Sequence, residues 1–156
     1  MFLYPPTCII RHRRENLKKC SLRGLEGNDG FSFFLYPNCI SQLPVFPQYV
    51  LLDLDGEPLT QADSKAGLIV IDATWRLAQK MMQQLHGLHS LPKRSIPAGF
   101  ITAYPRRQQD CKDPTAGLAS IEALYIAYRI LQRDATLLLD HYYWKEQFLQ
   151  QFPLDS

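Results

Sequence analysis

No run of apolar residues in this sequence is long enough to span a bilayer as a helix. The first ten residues, MFLYPPTCII, lack a charged n-region, and Pro5-Pro6 interrupts them, so a secretory signal peptide is not expected. Cysteine is sparse, with four residues scattered at positions 8, 20, 39 and 111. The absence of any C-x-x-C pair excludes a zinc-ribbon pattern. Scattered cysteines without an export signal lead us to expect reduced thiols and a cytoplasmic location. His12, His86, His89 and His141 show no ligand spacing, so no metal centre is expected. Internal repeats and low-complexity segments are also absent. Net charge is small, at +2, and by itself does not announce a nucleic-acid partner.

What is present suffices for a core. The chain has 156 residues, 46% of them apolar, and reads as one domain over 1–156. The charge is unevenly spread. Arg11, Arg13, Arg14, Lys18, Lys19 and Arg23 crowd one segment with His12. A local basic face can engage phosphates without a basic whole. A solvated loop explains the same run equally well.

The chain is organised around LIVIDATWRLAQKMM, residues 68–82. Leu68 to Ile71 are apolar and rich in branched side chains, which fits a buried strand. Asp72 and Thr74 offer oxygens that can cap a following helix. Trp75, Ala78, Met82 and Leu85 recur at helical spacing, and Gly87 is placed to close that helix. Strand, sharp turn and helix put Asp72, Thr74 and Trp75 beyond a strand's carboxyl end. Parallel sheets bind ligands there. Many strand-to-helix turns bind nothing, and spacing alone favours a capping Asp and a core Trp.

Around this unit, Thr7 to Ile10, Phe31 to Tyr36 and Tyr49 to Leu54 read as strands, with Asp55-Gly56 as a turn. Leu59 to Lys65 reads as a helix, and Arg94 to Ile96 as a last strand. Residues 97–115 form a long irregular stretch, which suggests a functional loop. Asp113-Pro114 suits a helix start, with Leu118, Ile121, Tyr125 and Tyr128 on one stripe. A second helix is expected after Asp134, with Leu138, Tyr142, Leu149 and Phe152 inward. The pattern is that of an α/β domain with two terminal helices on its sheet.

Asp72-Ala73-Thr74-Trp75-Arg76 resembles the D-x-T-W signature of the DTW-domain RNA aminocarboxypropyltransferases. It is also similar to the D-C-S-W motif of relatives that modify small-subunit ribosomal RNA. Leu118-Ala119-Ser120-Ile121-Glu122-Ala123 resembles the L-S-T-x-E-A helix start shared by both branches. Residues 49–63, Lys19-Cys20-Ser21 and the Trp144-x-x-x-Phe148 pair resemble the ribosomal branch. Ala103-Tyr104-Pro105-Arg106-Arg107 looks like the tRNA-modifying branch. No zinc-type cysteines match those of longer DTW proteins.

The resemblance implies a SPOUT-like parallel sheet whose C-terminal chain forms a trefoil knot. It implies transfer of the 3-amino-3-carboxypropyl group of S-adenosylmethionine to N3 of a uridine, in tRNA first and in ribosomal RNA as the alternative. Trp75 and Ala78 would then lie against the cofactor methyl, and Ser120 with Ser21 would hold the carboxylate of its arm. Leu51, Leu118 and Ala123 would surround the adenine, and the Ile71 carbonyl would take the ribose. Asp72 would be the base, Arg11, Arg13, Arg14, Lys19, Arg106 and Arg107 the RNA contacts, and no metal would be needed. Competing classes are a SPOUT methyltransferase and a non-catalytic RNA-binding assembly factor.

Overall fold

The computed structural model describes residues 4–13, 22, 24–103 and 118–152, and of Trp75 it describes the backbone only. Five parallel strands form one sheet: β1 (Thr7–His12), β2 (Phe31–Tyr36), β3 (Tyr49–Pro58), β4 (Gly67–Asp72) and β5 (Lys93–Ser95). Their order is β2-β1-β4-β3-β5. All six residues of β1 are buried, as a central strand covered on both faces requires.

Alternation along the strands builds two cores. Ile9, Val50, Leu68 and Val70 face α2 (Ser120–Ile130), packing with Ile121, Leu124, Ala127 and Tyr128. Cys8, Ile10, Leu51 and Ile69 face the other way, packing with Met81 of α1 (Trp75–Gln84) and with Leu85 and Leu88 beyond it. The parallel sheet, the central strand and α1 follow the sequence expectation.

Other elements differ from it. β3 does not end at Asp55-Gly56 but runs to Pro58, with a register break against β5 between Leu52 and Glu57. Gly56 permits close approach rather than a turn. A Cβ there would lie 2.5 Å from the Lys93 carbonyl carbon. The helix expected over 59–65 is a single 3₁₀ turn, Gln61–Asp63. The Asp63 carboxylate is drawn to the Thr60 amide and to Arg94, whose Nε donates to Asp63 Oδ2 at 3.2 Å. Gly87 does not close α1; Leu85 is its C-cap, and Gly87 lies in the 3₁₀ turn His86–Leu88.

After α2 the chain makes turns rather than a helix from Asp134, and among the described residues that follow only α3 (Lys145–Leu149) is helical. Asp134 Oδ1 accepts from both the amide and the hydroxyl of Thr136, a local arrangement that competes with helix formation. The inward residues are still as expected. Leu138 and Tyr142 are buried, and Leu149 and Phe152 pack against the α2-side core. The helix start at Asp113-Pro114 lies outside the described residues; described helix begins at Ser120.

This topology locates a crevice. β1 leads to β2 on one side of the sheet, while β4 leads to β5 on the other, so the strand order reverses between β1 and β4. Open parallel sheets bind ligands outside the carboxyl ends at such a reversal. The last paired residues there are Arg11 and Asp72.

Candidate active site at the ends of β1 and β4

Asp72 closes β4 and is buried. Its side chain points to the α2 face, as do Leu68 and Val70 at the same parity. Arg11 Nε donates to Asp72 Oδ2 at 3.2 Å, and Ser120 Oγ donates to Oδ1 at 3.3 Å. The two partners reach Asp72 from different elements, the neighbouring strand and the first residue of α2. Thr74, not Asp72, is the N-cap of α1, and the Thr74 side chain makes no capping bond.

Arg11 does not lie on an open basic face. It is 7% exposed. Its Nη1 donates to Glu26 Oε1 at 3.2 Å, and its guanidinium carbon sits 4.7 Å from the centre of the Phe33 ring. A cation so enclosed is positioned for Asp72 rather than for a phosphate at the surface. Burial pushes the Glu26 carboxyl up. Its own amide, the Gly24 amide and Arg11 outweigh this, and the carboxyl sits below its ordinary value.

The N-terminus of α2 is fixed by Glu122, which is fully buried. Glu122 Oε1 accepts from the Ala119 amide at 2.8 Å and from the Thr102 hydroxyl at 2.5 Å. Oε2 accepts from the Ala103 amide and the Tyr142 hydroxyl, each at 2.8 Å. One carboxylate therefore ties the helix start to the 102–103 segment and to the C-terminal turns. Sequence reasoning gave Glu122 no role. The available signal was an acid three residues after a helix's first cap, as in half of a capping box.

The other candidates divide between the faces. Ser120, Leu118 and Ala123 belong to the α2 side, with Leu118 packed on that core. Leu51 is 1% exposed in the α1-side core with Ile10 and Ile69, so the structure does not bring it to Asp72. The Ile71 side chain also packs on the α1 side. Ala78 is half-buried in the first turns of α1, which Trp75 opens. Arg13 is exposed just past β1. Ser21, Arg14, Lys19, Arg106 and Arg107 lie outside the described residues.

The arrangement can hold a zwitterion. A buried carboxylate faces the crevice beside a helix N-terminus, whose first-turn amides have no partner within the helix and favour negative charge. Small residues Ala119 and Ala123 flank Ser120 and let a ligand approach the backbone. Among the described residues no cluster of His, Cys, Asp or Glu could hold a metal ion.

The DTW domain family model matches residues 7–152 of the chain. Among solved structures, the fold is similar to that of a SAM-dependent rRNA:acp-transferase, Tsr3, from Vulcanisaeta distributa. The TM-score is 0.71 and the identity 23%, over 94% of this chain and 78% of that one. No curated protein matches the chain.

Proposed function

This chain belongs to the DTW domain family, and from that premise we propose that it is an RNA-uridine aminocarboxypropyltransferase acting as a single domain over 1–156 in the cytoplasm. S-adenosylmethionine is its donor, and N3 of a uridine in tRNA is its acceptor. In this reading the sheet is of the SPOUT kind and its C-terminal chain is threaded as a trefoil knot.

The observation that carries the reading is the Asp72 carboxylate, held between Arg11 and Ser120 where the strand order reverses. A cationic sulfonium suits the carboxylate, and the carboxylate of the donor's arm suits the start of α2. When bound, the donor supplies an electrophilic carbon in its amino-acid arm, with methylthioadenosine as the leaving group. Asp72 takes the N3 proton of the uridine as the N3–carbon bond forms and the carbon–sulfur bond breaks. Arg11 fixes the carboxylate at the crevice, so that it needs no reorganisation when the uridine arrives. Ser120, Leu118 and Ala123, with Ser21, bind the donor from the α2 side. Trp75 and Ala78 cover its methyl, so that the arm rather than the methyl is offered.

Ribosomal RNA is the second reading, favoured by the fold likeness to an enzyme that is described as acting on rRNA. The deciding experiment uses donor labelled in the arm carbons with separate tRNA and small-subunit rRNA pools, followed by nucleoside mass spectrometry. Label on a uridine of tRNA supports the proposal, and label only in rRNA moves it to the second reading. Transfer of methyl instead makes the protein a methyltransferase. No transfer and no donor binding leave an RNA-binding assembly factor.

A further inference from the structure

The carboxyl edge of the sheet carries a second feature, on the face opposite Asp72. A pocket of about 290 Å³ opens there, lined by His12, Arg13, Tyr36, Pro37, Leu77 and Lys80. It lies past the ends of β1 and β2 and against α1, one residue beyond the Arg11–Asp72 register pair. We infer that this pocket seats the nucleotide next to the modified uridine in a single-stranded stretch of the substrate RNA.

Three observations carry this. Tyr36, Pro37 and Leu77 give the pocket an apolar side, which suits the face of a base. The cations Arg13 and Lys80 line it and are exposed, and no acidic side chain is among its described lining residues. That pairing suits a base inside and a phosphate at the mouth, rather than a free anion. The platform is also rigid. The Tyr36 hydroxyl donates to Gln84 Oε1 on α1, its carbonyl accepts from the Arg13 amide at 3.0 Å, and its ring packs against His12 with centroids 5.3 Å apart. A binding surface fixed before the ligand arrives loses little entropy on binding. A uridine at Asp72 and its neighbour in this pocket would straddle one sheet edge, with the backbone crossing between them. The volume admits one nucleotide, and the described lining shares no residue with those that hold the donor in the reading above.

The inference rests on the RNA reading above, and its test is separable from the transfer assay. A fluorescein-labelled oligouridylate is titrated with parent protein and with the double variant Arg13→Ala, Lys80→Ala over a range of salt. Both side chains are exposed, so the variant should melt with the parent. The expected result is about tenfold weaker binding and a salt slope shallower by about 2, with donor binding by calorimetry unchanged. In addition, 4-thiouridine in the oligonucleotide should crosslink to the peptide containing Tyr36. Unchanged affinity and slope overturn the inference, as do crosslinks confined to other peptides or a parent that does not bind oligouridylate. Polyglutamate binding with the same dependence on Arg13 and Lys80 overturns it in favour of an acidic partner. A protein that binds RNA through these residues but transfers nothing keeps the subsite and refutes the transferase reading.

Discussion

Arg11 and Asp72 face each other in register on adjacent parallel strands, and their side chains form a buried ion pair with Nε 3.2 Å from Oδ2. The guanidinium is further enclosed by Glu26 and the Phe33 ring. A charge pair at the carboxyl edge of a sheet is costly to desolvate, and either partner left alone is costlier still.

Asp72 is therefore expected to matter twice. As a mere helix cap its loss would cost about 1 kcal/mol. As the partner of a buried arginine, Asp72→Ala should cost about 3 kcal/mol or more, read by urea unfolding. Asp72→Asn keeps one oxygen to accept from Arg11 and offers its NH2 to the Ser120 hydroxyl, which can accept, but it is a very poor base. It should stay folded and bind donor, while its single-turnover rate falls roughly 10²- to 10⁴-fold. Near-parental transfer by folded Asp72→Asn protein would return the choice of base to water or the RNA.

Arg11 separates a positioning role from an RNA contact. Arg11→Met should destabilise the fold by about 3 kcal/mol and slow transfer, because Asp72 is left buried without its cation. The slope of RNA affinity against salt should stay as in the parent, since a buried cation releases no counterion from RNA. A slope reduced by about 1 in the folded variant would place Arg11 on a phosphate instead.

Glu122 should be among the most sensitive positions outside the candidate site. Glu122→Ala strands two amides and the hydroxyls of Thr102 and Tyr142. The expected loss is at least about 3 kcal/mol in chemical denaturation. Glu122→Gln should recover part of it, because one amide oxygen still accepts. A Glu122→Ala protein as stable as the parent would show that water replaces the carboxylate.

The lowered Glu26 carboxyl gives a pH dependence with a definite sign. Its folded-state value lies below its unfolded one, so its contribution to stability is present above the ordinary carboxylate range. It is lost as pH falls through the folded value. Thermal melts of parent and Glu26→Gln should differ at neutral pH and converge in acid. A gap that widens in acid would contradict the arrangement around Arg11.

The sequence by itself determined the elements whose cause is local. Branched residues at 68–71 and helical spacing from Trp75 specify β4 and α1, and the alternation of strands with helices or loops announces an α/β sheet. It also made Asp72 and Ser120 candidates through short motifs, and the structure places them in contact. Tertiary structure alone decided what depends on distant partners. Asp63 was claimed by Arg94, 31 residues further on, and the helix expected over 59–65 is reduced to one 3₁₀ turn. Arg11 belongs to a basic run in the sequence. Its fate was settled by strand register, which set it beside a carboxylate 61 residues away. Glu122 became a buried hub because segments that no periodicity links converge on the start of α2. Local patterns fix which backbone conformation is cheapest. The charge state and burial of a side chain depend on which neighbours the fold delivers.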